Sequence, residues 1–281
     1  MISAYNGKEY NLFSISVTKR VANITLNNPP VNVLSGKMMK ELRELLGDLS
    51  IDPEVKVIVF DSLNPDFFIA HVDINILDEQ EILDELGELA PEGLNIFQAV
   101  GEMLRKQPQV TIVKLKGIAR GGGAEFVTAA DMCFASKENG KLGQIEALMG
   151  IIPGGGATQY LSAKMGRNRV LEIILGAALF DATTAEQYGW INRAIPEVHI
   201  DTYVRVLAEQ IASLPEGVIE AAKSVLTSDE NLKGFKAEHD AWAKLAFQPR
   251  TAQIMKAGMQ KGAQTVEGEI NAESLFRNLF S

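Results

Sequence analysis

The chain contains 281 residues, 46% of them hydrophobic and 22% charged, with a formal net charge of −9 at neutral pH. This length and composition suit one large folded domain, or a domain with an appendage, and the acidic balance argues against unspecific binding to nucleic acid or to an anionic membrane surface. There is no signal-peptide pattern, no run of the ~20 apolar residues that a membrane helix needs, and only one cysteine, Cys133, so the sequence predicts a cytoplasmic protein.

The first two-thirds of the chain alternates strand and helix patterns. Residues 12–17 and 21–26 predict two strands joined by a turn. Ser35 is expected to cap a helix with an apolar stripe formed by Met38, Leu42, Leu45 and Leu49. Further strands are predicted at 55–60, 110–115 and 132–135, an apolar loop at 67–73, and an acidic amphipathic helix or lid at 78–92. The alternation indicates α/β architecture.

The last third of the chain is predicted to be helical. Residues 183–186 fit a capping box, with Gly189 as the helix stop, and Asp201 is expected to cap the next helix. The apolar residues between Ile254 and Phe280 are too many for a solvated tail, so they should dock on the core or on a neighbouring subunit. We divide the chain into a core of residues 1–199 and a helical region of residues 200–281.

The residues with the clearest chemistry lie between positions 114 and 156. An apolar run leads into three glycines at 121–123 and a predicted helix that carries Glu125, and a second carboxylate, Glu146, follows. Adjacent glycines let the backbone approach a ligand, and free N–H groups at a helix start favour negative charge. Two carboxylates beside such N–H groups can supply general acid and base chemistry. This combination favours enolate chemistry on a carbonyl compound.

Other kinds of site fit the sequence poorly. Gly140-Lys141 is followed by Leu142 rather than Ser or Thr, which excludes a Walker loop. The glycines at 154–156 lack the spacing of a dinucleotide fingerprint. The histidines, at positions 71, 199 and 239, have no metal-ligand spacing, and no nucleophile-elbow motif is present. We therefore expect neither a metal nor a nucleotide cofactor.

Several blocks, in order, resemble the crotonase superfamily, the enoyl-CoA hydratase/isomerase family. Residues 68–73, Phe-Ile-Ala-His-Val-Asp, resemble the first oxyanion-hole loop of that family, and residues 117–125, Gly-Ile-Ala-Arg-Gly-Gly-Gly-Ala-Glu, resemble the second. Segments 143–146, 150–154, 184–192 and 215–223 continue the pattern. The resemblance covers about residues 12–225.

The resemblance implies a fold, an assembly and a substrate. The fold would be an α/β crotonase-like spiral of repeated ββα units with a helical C-terminal trimerisation region, residues 200–281, that builds homotrimers, often stacked as hexamers. The substrate would be an acyl-thioester of coenzyme A, with no separate cofactor.

The resemblance also implies roles for individual residues. The backbone N–H groups of Val72 and Gly122 would form the oxyanion hole. Glu125 and Glu146 match the two carboxylates of the hydratases; Glu125 would help to activate a water, and Glu146 would protonate the α-carbon. Contacts with the substrate or its CoA portion are expected at Ala70, His71, Asp73, Arg120, Gly121 and Gly154.

Two of these residues depart from the family pattern. His71 stands where glycine is usual, and it is either a surface loop residue or a ligand contact. Arg120 stands where leucine is usual, and it either pairs with a structural acid or recognises a polar acyl group. If Arg120 meets the substrate, we expect a short or polar acyl group to be preferred over a long chain.

The predicted function is addition of water across the double bond of a 2-enoyl-CoA through a stabilised thioester enolate. Isomerases of the family usually keep one catalytic carboxylate, so the presence of two favours hydration. The alternatives are an enoyl-CoA isomerase or acyl-CoA hydrolase of the same fold, and a catalytically silent acyl-CoA-binding protein. No nucleic-acid or membrane partner is expected.

Overall fold

A six-stranded and a four-stranded sheet form the body of the fold, and the first two strands pair as a separate two-stranded sheet. The structure is a computed structural model that describes residues 3–226 and 232–280. Residues 227–231 and 281, which belong to the predicted helical region, and residues 1–2 lie outside the described residues. The strands are β1 Ser3–Tyr5, β2 Lys8–Tyr10, β3 Phe13–Thr18, β4 Val21–Leu26, β5 Val57–Ser62, β6 Phe67–Ile69, β7 Val110–Leu115, β8 Ile118–Arg120, β9 Met132–Ser136, β10 Lys141–Gly143, β11 Leu179–Asp181 and β12 Arg193–Ile195.

The helices lie between and after these strands. They are α1 Gly36–Ser50, α2 Gln80–Glu88, α3 Ile96–Arg105, α4 Gly122–Ala129, α5 Ala157–Lys164, α6 Arg167–Gly176, α7 Ala182–Tyr188, α8 Glu197–Ala212, α9 Val218–Leu226, α10 Leu232–Ala246, α11 Pro249–Gln260, α12 Val266–Ile270 and α13 Ala272–Arg277. Two 3₁₀ turns cover Ile76–Glu79 and Glu146–Met149. None of the helices that the structure describes is long and apolar enough to cross a membrane.

The sheet order confirms the predicted spiral of ββα units. The large sheet has the order β12-β9-β7-β5-β4-β3 and the small sheet the order β11-β10-β8-β6. The pairs β5–β6, β7–β8 and β9–β10 each place their first strand in the large sheet and their second in the small one, and helices follow each pair. Neighbouring strands from successive turns pair in parallel. Each turn therefore brings the C-terminal end of its second strand to the same end of the small sheet.

The first helix forms as its sequence predicts. The side chain of Ser35 accepts the N–H of Met38 at the N-terminus of α1, and the apolar stripe, which includes Leu42, Leu45 and Leu49, is fully buried. A cap of this kind typically stabilises a helix by about 1 kcal/mol. The acidic segment is also helical, as α2, with Leu86 buried against the core.

Three local predictions are wrong. The helix expected after Asp201 begins at Glu197, because Pro196 fits the turn before a helix, and Asp201 instead binds Lys114 at 2.6 Å. Helix α7 is capped by Asp181 rather than at residue 183, although Gly189 ends it in the left-handed conformation as predicted. The segment 67–73 begins with a short strand, β6, instead of being loop throughout.

The C-terminal helices pack on the body of the same chain. Helix α8 lies on the large sheet, where its apolar face meets strands β5, β7 and β9. Helix α10 contacts α5, and α11 and α13 contact the second 3₁₀ turn. Ile254, Phe276 and Leu279 join the cluster around Ile145 and Met149. The apolar tail thus docks on its own core, one of the two outcomes expected, and the division at residues 199 and 200 stays a prediction.

Candidate active site

The first candidate carboxylate, Glu125, lies in the first turn of α4 and is held by a distant glycine loop. Its Oε1 accepts the N–H of Gly155 at 2.7 Å and the N–H of Ala157 at 3.1 Å. A Cβ at Gly155 would stand 2.4 Å from Oε2 of Glu125, so a larger residue would push the carboxylate away. Only 5% of Glu125 is exposed. The sequence therefore brings an acid and two backbone donors together in a nearly dry place.

The second candidate, Glu146, begins the 3₁₀ turn after β10 and lies against the start of α4. A Cβ at Gly121 would be 3.0 Å from its Oε1, and Gly121, with φ of +49°, directly precedes α4. With the amide nitrogen of Gln144 turned toward the carboxylate, that nitrogen is 3.0 and 3.1 Å from its two oxygens. Glu146 is also buried, at 6% exposed. Both carboxylates thus border the N-terminal turn of one helix.

The electrostatic setting favours retention of a proton by this pair. Burial raises the pKa of Glu125 well above its ordinary value, and the charges of Glu146 and Glu238 raise it further. Burial likewise raises the pKa of Glu146; the charge of Glu238 adds to this and that of His71 opposes it. Carboxylates that share a dry site cannot easily all be ionised. One member can therefore act as an acid while the other acts as a base.

Two backbone donors lie beside the carboxylates without a partner in the described part of the chain. A Cβ at Gly122 would stand 2.4 Å from Cγ2 of Val72, so these two residues are in close contact. On either side of Val72, His71 O accepts the N–H of Leu34 at 2.8 Å, and the N–H of Asp73 donates to Leu34 O at 3.1 Å. These bonds fix the loop and leave the N–H groups of Val72 and Gly122 free for an oxyanion. The oxyanion role itself stays a prediction.

His71 lies in the interior, which corrects the expectation that it is a surface loop residue. It is 5% exposed, with Nε2 2.8 Å from Oε1 of Glu269 and Nδ1 2.6 Å from the carbonyl oxygen of Val72. Both ring nitrogens face acceptors, so the imidazolium form satisfies both contacts. Burial lowers the pKa of His71, but the hydrogen bond and charge of Glu269 more than offset this and raise it. His71 is therefore not a surface residue, and a contact with the ligand stays a prediction.

Arg120 forms a buried ion pair, which corrects the prediction that it contacts the acyl group. Its Nε is 2.6 Å from Oε1 of Glu273 and its Nη2 is 3.0 Å from Oε2, while Nη1 lies 3.8 Å from Oε2 of Glu269. The side chain has no exposed surface. The guanidinium donates both of its hydrogen bonds to Glu273, so the alternative of a structural acid is confirmed. The preference for a short or polar acyl group loses its basis.

The remaining predicted contact residues surround the carboxylates but have their own partners. Ala70 N–H donates to Val31 O at 3.2 Å, and Gly121 N–H donates to Gly143 O at 3.0 Å. Oδ1 of Asp73 accepts the N–H of Asn75 and the amide of Gln264, both at 2.9 Å, which is a structural role. Gly154 O accepts the amide of Asn95 at 2.8 Å, and Trp242 packs against its Cα, leaving no room for a Cβ. Substrate contacts at these positions stay predictions.

The sequence analysis missed three acids of the C-terminal helices. Glu269, on α12, binds His71, and Glu273, on α13, binds Arg120. Glu238 lies between Phe235 and Trp242 on the inner face of α10, at 3% exposed. The available signal was an acid in the middle of an apolar stripe, combined with two interior cations that needed partners.

Comparison with known proteins gives a consistent result. The family model described as enoyl-CoA hydratase/isomerase matches residues 16–266. The short-chain-enoyl-CoA hydratase of Clostridium acetobutylicum is 27% identical over 96% of this chain and 99% of its own. The 2,3-dehydroadipyl-CoA hydratase of Escherichia coli is 27% identical over 90% of this chain and 98% of its own.

Solved structures share the fold. A crystal structure described as a "putative enoyl-CoA hydratase from Streptomyces avermitilis" superimposes with a TM-score of 0.95 at 55% identity, covering 96% of this chain and 98% of that chain. The enoyl-CoA hydratase from Bacillus halodurans superimposes with a TM-score of 0.77 at 19% identity, covering 88% of this chain and all of that one, which speaks for the fold alone.

Proposed function

We propose that this chain, which belongs to the enoyl-CoA hydratase/isomerase family, adds water across the double bond of a 2-enoyl-CoA. The observation that carries the proposal is the position of two buried carboxylates, Glu125 and Glu146, against the start of α4, where the N–H groups of Val72 and Gly122 are free. Hydration needs one group to activate water, one to deliver a proton, and donors for the enolate oxygen.

The reaction follows from these roles. The two backbone donors bind the thioester oxygen and stabilise the negative charge that develops on it; loss of one such donor in other enzymes costs about 2.7–4 kcal/mol. Glu125 helps to take a proton from the water that attacks the β-carbon, and Glu146 gives a proton to the α-carbon. The raised pKa of both groups allows the pair to hold the proton that this step needs at neutral pH. The net addition is one water: its hydroxyl goes to the β-carbon, and the proton that Glu125 takes from it balances the proton that Glu146 gives to the α-carbon. The proposal therefore requires no cofactor besides the coenzyme A thioester.

Assembly and location are further parts of the proposal. Several large apolar side chains of the C-terminal region are exposed, among them Val225 at 83%, Leu226 at 82% and Phe247 at 80%. Exposed apolar groups of this size favour an interface between subunits, so we propose a homotrimer or a dimer of trimers. Light scattering should give a mass well above the 30.6 kDa of one chain. We place the enzyme in the cytoplasm, a proposal that cell fractionation tests.

The test of function uses crotonyl-CoA. The thioester-enone absorbance should fall on addition of the enzyme, and the product should gain the mass of one water. Glu125→Gln and Glu146→Gln should each abolish most of this turnover while CoA-ester binding persists, because both groups act mainly in the transition state. A shifted double bond without added water would indicate an isomerase, and binding without turnover over an enoyl-CoA panel would indicate a silent acyl-CoA-binding protein.

A further inference from the structure

A third buried carboxylate, Glu238, lies beside the pair and comes from a different part of the chain. It is on α10, in the C-terminal region, and is 3% exposed. Its Oε1 accepts the N–H of Gly156 at 2.7 Å and the side-chain amide of Gln98 at 3.1 Å. Its Oε2 accepts the N–H of Thr158 at 2.9 Å and the hydroxyl of Thr158. The carboxylate of Glu238 is therefore deeply buried and fully hydrogen-bonded by four donors.

Four consecutive backbone N–H groups donate alternately to Glu125 and to Glu238. The N–H groups of Gly155 and Ala157 point to Glu125, and those of Gly156 and Thr158 point to Glu238. The four consecutive amides at the start of α5 therefore hold one carboxylate on each side. Loss of either carboxylate would release two of these donors and allow the loop to move relative to the other.

Burial raises the pKa of Glu238, but its hydrogen bonds with Thr158, Gln98 and Gly156 oppose this and make Glu238 the acid of the three that is best able to stay ionised. All four of its neighbours are donors; the hydroxyl of Thr158 accepts from Gln159 at 2.8 Å and therefore directs its own hydrogen to Glu238. Glu125, in contrast, receives both of its hydrogen bonds on Oε1. A carboxylate with more donors keeps its charge more easily in a dry site. The proton of this cluster is therefore expected on the Glu125–Glu146 pair, with one member protonated and the other ionised.

The other charged and titratable groups around the three acids do not replace the negative charge of Glu238. His71 acts on Glu146 with the opposite sign, but its charge is shared with Glu269. Nδ1 of His239, next to Glu238 in the chain, faces the side-chain amide of Asn95 at 3.1 Å. Tyr160, on α5, directs its hydroxyl to Glu102, which also pairs with Arg105.

We propose that Glu238 is a positioning residue whose fixed negative charge keeps one proton on the Glu125–Glu146 pair and whose hydrogen bonds hold the glycine loop against Glu125. This inference rests on the proposed hydration reaction, in which one member of the pair must be protonated. Helix α10 thereby links the docking of the C-terminal region to the protonation state of the site.

The experiment measures the pH dependence of kcat/KM in the full-length protein and in Glu238→Gln. Removal of the charge should move both limbs of the profile to lower pH, by on the order of one unit. Glu238→Asp, which keeps the charge, should restore the wild-type profile. Glu102→Gln is the matched control: it also removes a buried acid near Tyr160, but one already neutralised by Arg105, so its profile should not move.

A readout without substrate separates this inference from the proposed function. The infrared band of protonated carboxylic acid, assigned with Glu125→Gln and Glu146→Gln, should disappear at lower pH in Glu238→Gln than in wild type. If this shift occurs in a protein that hydrates no enoyl-CoA, the function fails and the inference stands. An active enzyme with identical infrared and kinetic midpoints in both proteins would overturn the inference. If Glu238→Gln does not fold, Thr158→Val, which removes one donor from Glu238, should give a smaller shift in the same direction, and its absence would equally overturn the inference.

Discussion

The buried charges around Arg120 support a quantitative prediction for Arg120→Leu. Two cations, His71 and Arg120, face two anions, Glu269 and Glu273, so the cluster is neutral. Leucine is the usual residue of the family at position 120 and has a suitable apolar shape. It leaves Glu273 without its partner, however, and gives the cluster a net negative charge. Glu273→Leu, in contrast, leaves Arg120 without its partner and gives the cluster a net positive charge.

The expected cost follows from the depth of the pair. Breaking a buried ion pair by removal of one partner typically costs about 3–5 kcal/mol. Arg120 has no exposed side-chain surface, but the Glu273 side chain is 17% exposed and can recover some hydration, so we expect about 3 kcal/mol. For a chain of this size that corresponds to a fall in Tm of roughly 6–12 °C. The double variant Arg120→Leu/Glu273→Leu leaves His71 paired with Glu269 and should recover at least half of the loss.

The two single variants and the double variant form a double-mutant cycle with the wild type. Differential scanning calorimetry gives the Tm of each, and kinetic assays give kcat and KM for crotonyl-CoA. Each single variant should lose stability and keep a KM close to that of the wild type. An unchanged Tm together with a large rise in KM for Arg120→Leu would refute the ion-pair assignment and return Arg120 to the substrate. A double variant as unstable as the sum of the single variants would show that the two residues do not interact.

Three further results are expected. Glu125→Gln and Glu146→Gln should each lower kcat at least ~10²-fold. Each should also raise Tm in alkaline buffer: the pKa of each acid is raised in the folded state, so the fold loses stability as the pH rises above the ordinary value of 4.5. A lower Tm in alkaline buffer would contradict this. The pKa of His71 is raised in the folded state, so its imidazolium contributes its full stability below the ordinary value of 6.5. This contribution is lost as the pH rises through the higher pKa of the folded state. The Tm should therefore fall over this pH range in wild type and not in His71→Gln. Gly122→Ala should lower kcat/KM by ~10²–10³-fold, because its Cβ would stand 2.4 Å from Cγ2 of Val72 and narrow the oxyanion hole; retained activity would exclude this amide from the mechanism.

The sequence predicted the elements whose signals are local. Alternating apolar residues predicted β3, β4 and β7, and the Ser35 cap with its regular stripe predicted α1. The positions of Glu125 and Glu146 beside glycines followed from the order of the motifs, because glycine is required wherever backbone and carboxylate approach this closely. The strands and α1 depend on neighbours within a few residues, which a single sequence displays, whereas the two carboxylates were found from the order of the motifs.

Features that depend on distant partners could not be predicted in the same way. Arg120 and His71 were recognised as unusual, but their partners Glu273 and Glu269 lie 153 and 198 positions away. Nothing in the local sequence distinguishes a buried acid of α12 from a solvated one. Helix starts failed for a different reason: Asp181, Asp201 and Thr183 are all acceptable caps, and the choice among them is made by tertiary contacts such as that between Asp201 and Lys114.

The long reach of the His71–Glu269 contact has a consequence for the order in which the protein matures. During synthesis, the two sheets can pair as soon as about two-thirds of the chain has emerged, since their strands end at Ile195. The loop of residues 71–73 is bonded to Leu34 early, but it gains its contact with Glu269 only when Glu269 has left the ribosome, 198 positions after His71. A nascent chain would thus hold Glu125 and Glu146 on a formed scaffold before the loop of His71 and Val72 gains this contact. We expect activity to arise only after residue 269 has emerged, so that shorter nascent chains do not process thioesters.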